Sequence, residues 1–370
     1  MQPASSSQEQ IIKHHILIIG STGLVGAAAV EHFSRIQDGQ VTAVARRSLS
    51  FPESVRQLQL DLTDKSACVE RLSAVHGVTH VLYTALYEKP NLVASWRDEE
   101  QMATNLAMLR NVLDVLDRTA PELRHITLLQ GAKAYGLHLG PTPVPCKERA
   151  PRHPHKNFYW LQEDLLRERK PHRGWTFSIL RPQLVLGTVA GTPMNIVLAI
   201  GAFAAIQREL GRPLCFPGGA YGVYGASDSR LIASATEFVG THEICGGETY
   251  NIVNGDVFAW KDIWPGIARF FGMEAGEPEP LCLADTMPRY EEVWERIATR
   301  HALKQTSLAK LVDRSWQFAD RAFGYGFEYP PHSVLNGLKL RSHGFNEFLD
   351  TEDAIAYWLR RLQEEQVLPQ

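Results

Sequence analysis

Short apolar runs alternate with amphipathic helical patterns through the first half of the chain. Residues 15–20 form a continuous apolar run that ends in glycine, which predicts a strand buried on both faces. Further strands are predicted at 41–45, 55–60, 80–83, 125–129 and 176–180, and helices at 24–35, 102–116 and 159–169. Repeated strand–helix units with right-handed crossovers build parallel sheets, so the pattern predicts a doubly wound α/β fold.

The second half of the chain loses this regular alternation and is richer in helical patterns. They occur at 228–239, 261–271, 290–303, 307–323 and 351–363. We therefore expect a flexible tail at 1–12, a sheet domain at 13–190 and a smaller, mainly helical capping region at 191–370. Some segments of the capping region are expected to return to the sheet.

The segment 182–207 carries no charged residue and is long enough to be considered as a membrane span. Pro182, Gly187 and Pro193 interrupt its first part, and the remaining apolar stretch, 196–206, is too short to cross a bilayer. It therefore predicts a buried helix beside a lipophilic pocket, for which Phe203, Phe345 and Phe348 are candidate lining residues. No membrane insertion is expected.

Composition excludes several other classes of protein. Of 370 residues, 44% are hydrophobic and 21% are charged, which is ordinary for a globular protein, and a net charge of −3 gives no reason to expect nucleic acid as a partner. The five cysteines are scattered, with no C-x-x-C pair, so neither a disulfide framework nor a zinc knuckle is indicated. We expect a reduced, cytoplasmic protein.

The first predicted strand leads into a glycine-rich turn, Gly20-x-x-Gly23-x-x-Gly26. Glycines at this spacing allow a tight turn and a close approach of the backbone to a pyrophosphate, and the following helix points its N-terminal amides at the phosphates. A strand–turn–helix junction without a ligand would look similar. At the end of the first strand of an alternating fold, the motif favours a dinucleotide-binding, Rossmann-type domain.

The residues after the second and third strands indicate which dinucleotide is bound. Arg46 and Arg47 stand where NAD-binding sites usually carry an acidic residue, and arginine suits the 2′-phosphate of NADP through charge-assisted hydrogen bonds. Asp61 and Leu62 follow the third strand, where such folds contact adenine. Asp64 is also read as a helix N-cap.

The chemistry must come from residues near the ends of strands four to six. Ordinary short-chain dehydrogenases pair a tyrosine with a lysine four residues later, whereas here Tyr159 is followed at that spacing by Glu163. A tyrosine acid needs a nearby cation, because a phenol with a pKa near 10 is a poor partner at neutral pH. Lys133, at the end of the neighbouring strand, is the candidate cation.

Two other groups of residues are interpreted structurally. His153 and His155 flank Pro154, but no carboxylate or cysteine completes a metal-ligand set at the usual spacing, so a surface loop is expected and no metal site is assigned. Trp294, Trp316 and Trp358 occur in helical patterns and are expected to pack in the core.

Several of these segments together resemble the progesterone 5β-reductase and iridoid synthase group of atypical extended short-chain dehydrogenases. The resemblance extends roughly from Ile16 to Pro369, and its most specific element is N-F-Y-x-x-x-E-D at 157–164, which replaces the usual Y-x-x-x-K. The other matching segments are 20–26, 45–47, 105–111, 181–182, 250–256 and 342–345. The chain departs from the plant members at Trp160, where they have a second tyrosine, and in a shorter loop between Lys133 and Tyr159.

The resemblance implies NADPH-dependent reduction of a C=C bond conjugated to a carbonyl. It implies that Tyr159 hydrogen-bonds the developing enolate oxygen and that Lys133 assists Tyr159. Together with the glycine and arginine motifs, it places cofactor contacts at Gly20, Thr22, Gly23, Leu24, Val25, Gly26, Arg46, Arg47, Asp61, Leu62, Thr84, Ala85, Gln130, Tyr159, Val185, Thr192, Pro193 and Met194. The sheet domain at 13–190 would then be the NADP-binding domain and carry the catalytic residues.

Two alternatives remain open at this point. One is an NADPH-dependent carbonyl reductase or epimerase of the extended short-chain dehydrogenase type, which would be expected to have the missing Y-x-x-x-K pair. The other is a nonenzymatic NADP-sensing regulator, which would be expected to lack both Tyr159 and Lys133. The expected partner is a small lipophilic enone or enal, and a homodimer is a candidate assembly.

Overall fold

The structure is a computed structural model that describes residues 14–47, 50–91, 95–329 and 332–370. The tail predicted at 1–12 therefore lies entirely outside the described residues. The strands are β1 His15–Ile19, β2 Gln40–Ala45, β3 Val55–Gln59, β4 His80–Tyr83, β5 His125–Leu129, β6 Thr176–Pro182, β7 Val185–Leu186, β8 Leu214–Cys215, β9 Ser227–Asp228, β10 Thr249–Ile252 and β11 Ala275–Gly276. The helices are α1 Leu24–Phe33, α2 Lys65–Ser73, α3 Glu99–Thr119, α4 Phe158–Arg169, α5 Ile196–Glu209, α6 Ser229–Thr241, α7 Trp260–Phe270, α8 Leu283–Thr286, α9 Glu291–Arg300, α10 Leu308–Val312, α11 Ser315–Ala322, α12 Leu338–Ser342 and α13 Thr351–Glu364.

Seven of the strands form one parallel sheet in the order β10-β6-β5-β4-β1-β2-β3. This confirms the predicted doubly wound fold class. The six strands predicted in the first half are all present, whereas β10, which lies beside β6 at one edge, was not recognised as a strand from the sequence. The order reverses between β1 and β4, which is where such folds open a ligand-binding crevice.

Strand β1 is buried on both faces, as its continuous apolar pattern predicts. Ile16 and Ile18 pack in one core cluster with residues of α1, while Leu17 and Ile19 pack in another with residues of α3 and α4. Helix α1 also packs against α6, and α3 packs between α2 and α4 on the opposite face. A layer of helices thus covers each face of the sheet at β1.

The remaining helices other than α12 build a second apolar core next to the sheet domain. Helix α5, predicted as the buried helix at 196–206, lies in its centre and is fully buried over most of its length. Trp294, Trp316 and Trp358 pack in this core, as predicted. Among the described residues, no helix is long and apolar enough to cross a membrane.

One helix prediction in this region was wrong. The segment 307–323 reads as one continuous helix, but it is divided into α10 and α11 at Asp313, whose φ is 46°. A positive φ places the residue outside the right-handed helical region, so the chain changes direction there. The break brings Arg314 and the first turn of α11 over the carboxyl ends of the strands.

Candidate active site

A cavity of about 940 Å³ opens at the carboxyl ends of β1 to β6. One end is formed by the turns after β1, β2 and β3, and the other by the segments that follow β4, β5 and β6. Residues of α11, together with Phe327, Tyr329, His332 and Ser333, cover it from the side of the helical core. Parallel α/β sheets bind ligands at this edge, so the cavity is the candidate active site.

The predicted site residues are collected in this one cavity with two exceptions. Those that line it are Gly20, Thr22, Gly23, Leu24, Val25, Arg46, Arg47, Leu62, Thr84, Ala85, Gln130, Lys133, Tyr159, Val185, Thr192, Pro193 and Met194. Gly26 lies behind the wall, where a Cβ atom would collide with the carbonyl oxygen of Gly20. Asp61 is the second exception and does not line the cavity. Its carboxylate accepts hydrogen bonds from the backbone N and Oγ1 of Thr63, at 2.9 and 2.8 Å.

The turn after β1 is shaped for close approach of a ligand to the backbone. Gly20 has a φ of 91°, and a Cβ atom there would lie 2.7 Å from both the amide of Ala85 and Oγ1 of Thr84. Gly23 is the N-cap of α1 without a side-chain cap, and the first turn of the helix contains no acidic residue. The N-terminal amides of α1 therefore form a setting that favours an anion such as a phosphate.

The two arginines after β2 differ in their contacts. Arg47 donates hydrogen bonds to the carbonyl oxygens of Gly191 and Thr22, at 3.2 and 3.3 Å, and so joins the glycine-rich turn to the segment before α5. Arg46 is exposed at the rim. Asp64 accepts from the amide of Ala67 at 2.9 Å, which confirms its reading as the N-cap of α2.

Tyr159 lies in the first turn of α4, where its side chain faces the cavity although the residue is only 6% exposed. Asn157 caps the helix and accepts from the amide of Tyr159 at 3.0 Å. A Cβ atom on Gly131 would come within 3.1 Å of the phenolic oxygen, so glycine keeps this hydroxyl accessible. Burial raises the pKa of Tyr159, an effect that Glu88 increases and Arg181 opposes, so the phenol is a neutral hydrogen-bond donor at physiological pH.

Lys133 lies in a 3₁₀ turn after β5 and is held by residues from the segment after β4. Its Nζ atom is 3.6 Å from Oε1 of Glu88 and 4.3 Å from the ring centroid of Trp96, whose indole N–H donates to the same carboxylate oxygen at 3.2 Å. Burial lowers the pKa of Lys133, and Glu88 opposes this effect. Sequence reasoning missed Glu88, which is 45 positions before Lys133 and belongs to no recognised motif.

Glu163 occupies the position that holds lysine in a Y-x-x-x-K pair, and its carboxylate is enclosed by arginines. Oε1 lies 3.0 Å from Arg152 and 2.9 Å from Arg167, and Oε2 lies 3.6 Å from Arg181. Gln130 joins the same network, since it accepts from Arg181 at 2.8 Å. Burial alone would raise the pKa of Glu163, but the hydrogen bonds and charges of Arg152 and Arg167 lower it below its ordinary value.

The covering segments contribute aromatic residues that sequence reasoning did not identify. Trp96, Phe318 and Phe327 line the cavity, together with Tyr224 and Arg321. The expected lining residues lie elsewhere: Phe203 packs in the helical core, Phe345 packs beside β10, and Phe348 is 70% exposed. Aromatic residues are equally suited to core and pocket, so their role depends on tertiary contacts that the sequence does not display.

Arg314 attaches the covering helix to the sheet domain. Its Nη1 atom donates hydrogen bonds to the backbone carbonyl oxygens of Glu88 and Lys89, at 3.3 and 2.6 Å. The same loop carries Glu88 into the cavity. Helix α11 and the Glu88 segment are therefore positioned together.

Three histidines pack next to the cavity. His153 and His155 share a hydrogen bond of 2.8 Å between their Nδ1 atoms, and the ring of His138, which lines the cavity, lies 5.0 Å from that of His155. Burial lowers the pKa of His138 to about 3, and His155 and Lys133 add to the effect, so His138 is neutral. Within the described ranges, no group of three or more metal-ligating side chains is placed to hold a metal ion.

The sheet and the position of its cavity define a Rossmann-type α/β protein, with the fold that epimerases and short-chain dehydrogenases share. Solved structures share this fold at low identity. A UDP-glucose 4-epimerase matches with a TM-score of 0.67 at 15% identity, over 95% of this chain and 98% of the other. The Bordetella bronchiseptica enzyme WbmH, solved in complex with NAD+, matches with a TM-score of 0.65 at 16% identity, over 95% and 99%.

The family is shown by sequence comparison. The model of the PRISE-like Rossmann-fold domain matches residues 53–329, and the chain belongs to this family. It is 32% identical to 3-oxo-Delta(4,5)-steroid 5-beta-reductase of Arabidopsis thaliana, over 95% of this chain and 92% of the relative. It is 30% identical to (S)-8-oxocitronellyl enol synthase ISY2 of Nepeta cataria, over 95% and 91%. The resemblance found from the sequence motifs is confirmed, and the protein is an oxidoreductase-type enzyme.

Proposed function

We propose that this protein is an NADPH-dependent reductase of C=C bonds conjugated to a carbonyl group, with a small lipophilic enone or enal as substrate. The relatives include a steroid 5-beta-reductase that acts on a 3-oxo-Delta(4,5) substrate, and the cavity is large enough for a dinucleotide's reactive end and a substrate side by side. Apolar and aromatic residues at the covering side suit a lipophilic molecule.

The residues of one end of the cavity fit a nicotinamide dinucleotide. The cradle at Gly20 admits a ligand against the backbone, the uncapped N-terminus of α1 suits a pyrophosphate, and Arg46 and Arg47 suit a 2′-phosphate. Val185 and the segment 192–194 would border the nicotinamide half. When bound, the cofactor supplies the hydride.

The protein's part in the reaction follows from Tyr159. Its hydroxyl would donate a hydrogen bond to the substrate carbonyl oxygen and hold the negative charge that develops there as hydride reaches the β-carbon. Lys133, whose charged form Glu88 favours, would add a positive field on the same side of the cavity. The enolate formed in this way is basic at its α-carbon. It takes up a proton from solvent there, which completes the saturated product.

The single observation that carries the proposal is the environment of Tyr159 and Glu163. A carbonyl reductase must transfer a proton to the alkoxide it makes, and a lysine one helical turn away lowers the phenol's pKa for that purpose. Here the position holds a carboxylate committed to three arginines, and burial raises the pKa of Tyr159. A phenol that keeps its proton suits the stabilisation of an enolate better than the protonation of an alkoxide.

The test uses NADPH carrying deuterium at the transferred position and a cyclic enone. We expect a saturated ketone with the label on the β-carbon. A labelled carbinol carbon in an allylic alcohol would reject enone reduction and establish the carbonyl-reductase alternative. Binding of NADPH without turnover of any enal, enone or ketone would instead favour the regulator alternative.

A further inference from the structure

Arg321 places a guanidinium group in the covering wall of the cavity. The residue lies near the end of α11, and its Nη2 atom donates to the carbonyl oxygen of Leu137 at 2.8 Å. Its Cζ atom lies 5.9 Å from the ring centroid of Trp96 and 5.4 Å from that of Phe327. One backbone carbonyl and two aromatic rings leave several of the five N–H donors of the guanidinium available.

The charge of Arg321 is not balanced by an acidic residue in the part of the chain that the structure describes. The neighbours that act on its pKa are Tyr329, Tyr224 and Arg97, and burial, the largest effect, lowers that pKa. By contrast, Lys133 has Glu88 as its partner, and Arg314 has Asp313. A partly buried cation without a counter-charge is costly unless a ligand supplies one.

Tyr224 adds a second unused polar group to the same wall. The residue is 6% exposed, and its hydroxyl has no hydrogen-bond partner among the described residues. Backbone hydrogen bonds of 2.8 Å in both directions between Tyr224 and Phe258 hold the main chain of Tyr224 in place. Arg321 and Tyr224 line the same cavity, and Arg321 lowers the pKa of Tyr224 against the larger effect of burial.

We propose that Arg321 and Tyr224 form a carboxylate-binding subsite, and that the substrate of this enzyme is an enone that also carries a carboxylate. The proposal rests on the proposed function for the enone half of the substrate only. Arg321 and Lys133 lie against the same indole ring of Trp96, so one small molecule can reach both the subsite and the catalytic end of the cavity. Phe318 and Phe327 would contact the apolar part between them.

The subsite is separate from the phosphate-binding end of the cavity. Arg46 and Arg47 stand after β2 beside the glycine-rich turn, whereas Arg321 contacts Leu137, Trp96 and Phe327 at the covering side. Loss of Arg321 should therefore leave the dissociation constant of NADPH unchanged. Weaker binding of NADPH to Arg321→Met would assign this arginine to the cofactor and overturn the proposal.

The test compares two probes, benzalacetone with a para-carboxylate and its methyl ester, which share the enone and differ in charge. With the native enzyme we expect kcat/KM for the acid to exceed that for the ester by about tenfold to a hundredfold, the usual range for a charged hydrogen-bonded pair. Arg321→Met should abolish the preference, Arg321→Lys should keep part of it, and Tyr224→Phe should reduce it. The exposed Arg212, bonded to Tyr290 outside the cavity, gives the matched control Arg212→Met, which should behave as the native enzyme.

Equal kcat/KM for acid and ester in the native enzyme, or an equal loss for both probes in Arg321→Met, would overturn the subsite. If neither probe is reduced, the proposed function fails but the subsite is still tested by binding. The saturated keto acid and its ester are then titrated by tryptophan fluorescence in the presence of NADP+. Tighter binding of the acid that depends on Arg321 supports the subsite, and equal binding rejects it.

Discussion

Nζ of Lys133 lies 3.6 Å from Oε1 of Glu88, and both groups are almost removed from solvent, with side-chain exposures of 17% and 3%. The two residues come from the segments that follow the neighbouring parallel strands β4 and β5. Burial would otherwise favour the neutral amine, so the carboxylate sustains the positive charge that Lys133 needs beside a developing enolate.

Glu88→Gln should therefore move the pH dependence of the reaction. Without the carboxylate the pKa of Lys133 falls further, and the protonated form is lost at a lower pH. We expect the alkaline limb of the kcat profile to shift to lower pH by about one unit or more. A pKa shift of one unit requires only a modest loss of interaction free energy between Lys133 and residue 88. The exposed Glu122→Gln should leave the profile in place, and an unmoved limb in Glu88→Gln would remove Glu88 from this role.

Tyr159→Phe should lower kcat while cofactor binding persists. The substitution keeps the ring but removes the donor to the enolate oxygen, so we expect a fall of about tenfold to a thousandfold in kcat. Enals that react readily should show the smallest loss. Rates are measured at saturating NADPH and its dissociation constant by fluorescence. Full activity on every substrate would exclude Tyr159 from the mechanism.

Substitutions of the two arginines after β2 should have different effects on cofactor binding. Arg46→Gln should weaken NADPH by about tenfold or more and leave NADH nearly unchanged, because only the phosphate contact is lost. Arg47→Gln should weaken both cofactors, since Arg47 also binds the carbonyl oxygens of Thr22 and Gly191. Dissociation constants for both dinucleotides provide the measurement. Native binding of NADH as tight as that of NADPH would contradict the assignment.

Glu163→Lys should not create a working Y-x-x-x-K site. It would place a cation among Arg152, Arg167 and Arg181, and breaking a buried ion pair in this way costs about 3–5 kcal/mol of unfolding free energy. Glu163→Gln keeps the shape without adding charge, so its loss should be smaller. Urea unfolding compares the variants. A Glu163→Lys protein with native stability and carbonyl-reductase activity would contradict this prediction, because it would show that a lysine can stand among the three arginines.

His80 and His125 are paired across β4 and β5, and burial lowers their pKa values to about 4 and about 3. The unfolded chain takes up these protons near pH 6.5, so their contribution to stability is complete above that pH and is lost progressively below it. Each histidine should add about 1.4 kcal/mol per pH unit to the loss in this range. His125→Leu should flatten the acid side of the stability curve by that amount. The exposed His172→Leu should not.

The sequence predicts best where one local signal determines structure. The apolar run of β1, the glycine turn and the start of α1 follow from neighbouring residues, and all are found in the structure. The break at Asp313 is not visible in the apolar pattern, which continues through it, because a positive φ at aspartate leaves no periodic signature. Strand β10 was not recognised because it lies among helical patterns, outside the regular strand–helix alternation of the first half.

The candidate site divides in the same way. Tyr159, Lys133 and the glycines belong to motifs of the sheet domain and could be found from spacing and resemblance. Glu88, Tyr224 and Arg321 come from three distant parts of the chain and meet only because α11 folds over the sheet. Their chemistry arises from burial and from the partners that the fold gives to Glu88 and withholds from Arg321 and Tyr224, which are properties of the folded chain.

The attachment of α11 through Arg314 has a consequence for how this enzyme can diverge. Arg314 donates its hydrogen bonds to the main-chain carbonyl oxygens of residues 88 and 89, and every amino acid has such an oxygen. Mutations can therefore replace side chains around the cavity, including those that determine substrate specificity, while α11 stays attached to the sheet domain. A scaffold built this way is well suited to directed evolution, in which libraries at Phe318, Arg321 and Phe327 would sample new substrates and Arg314 would be kept constant.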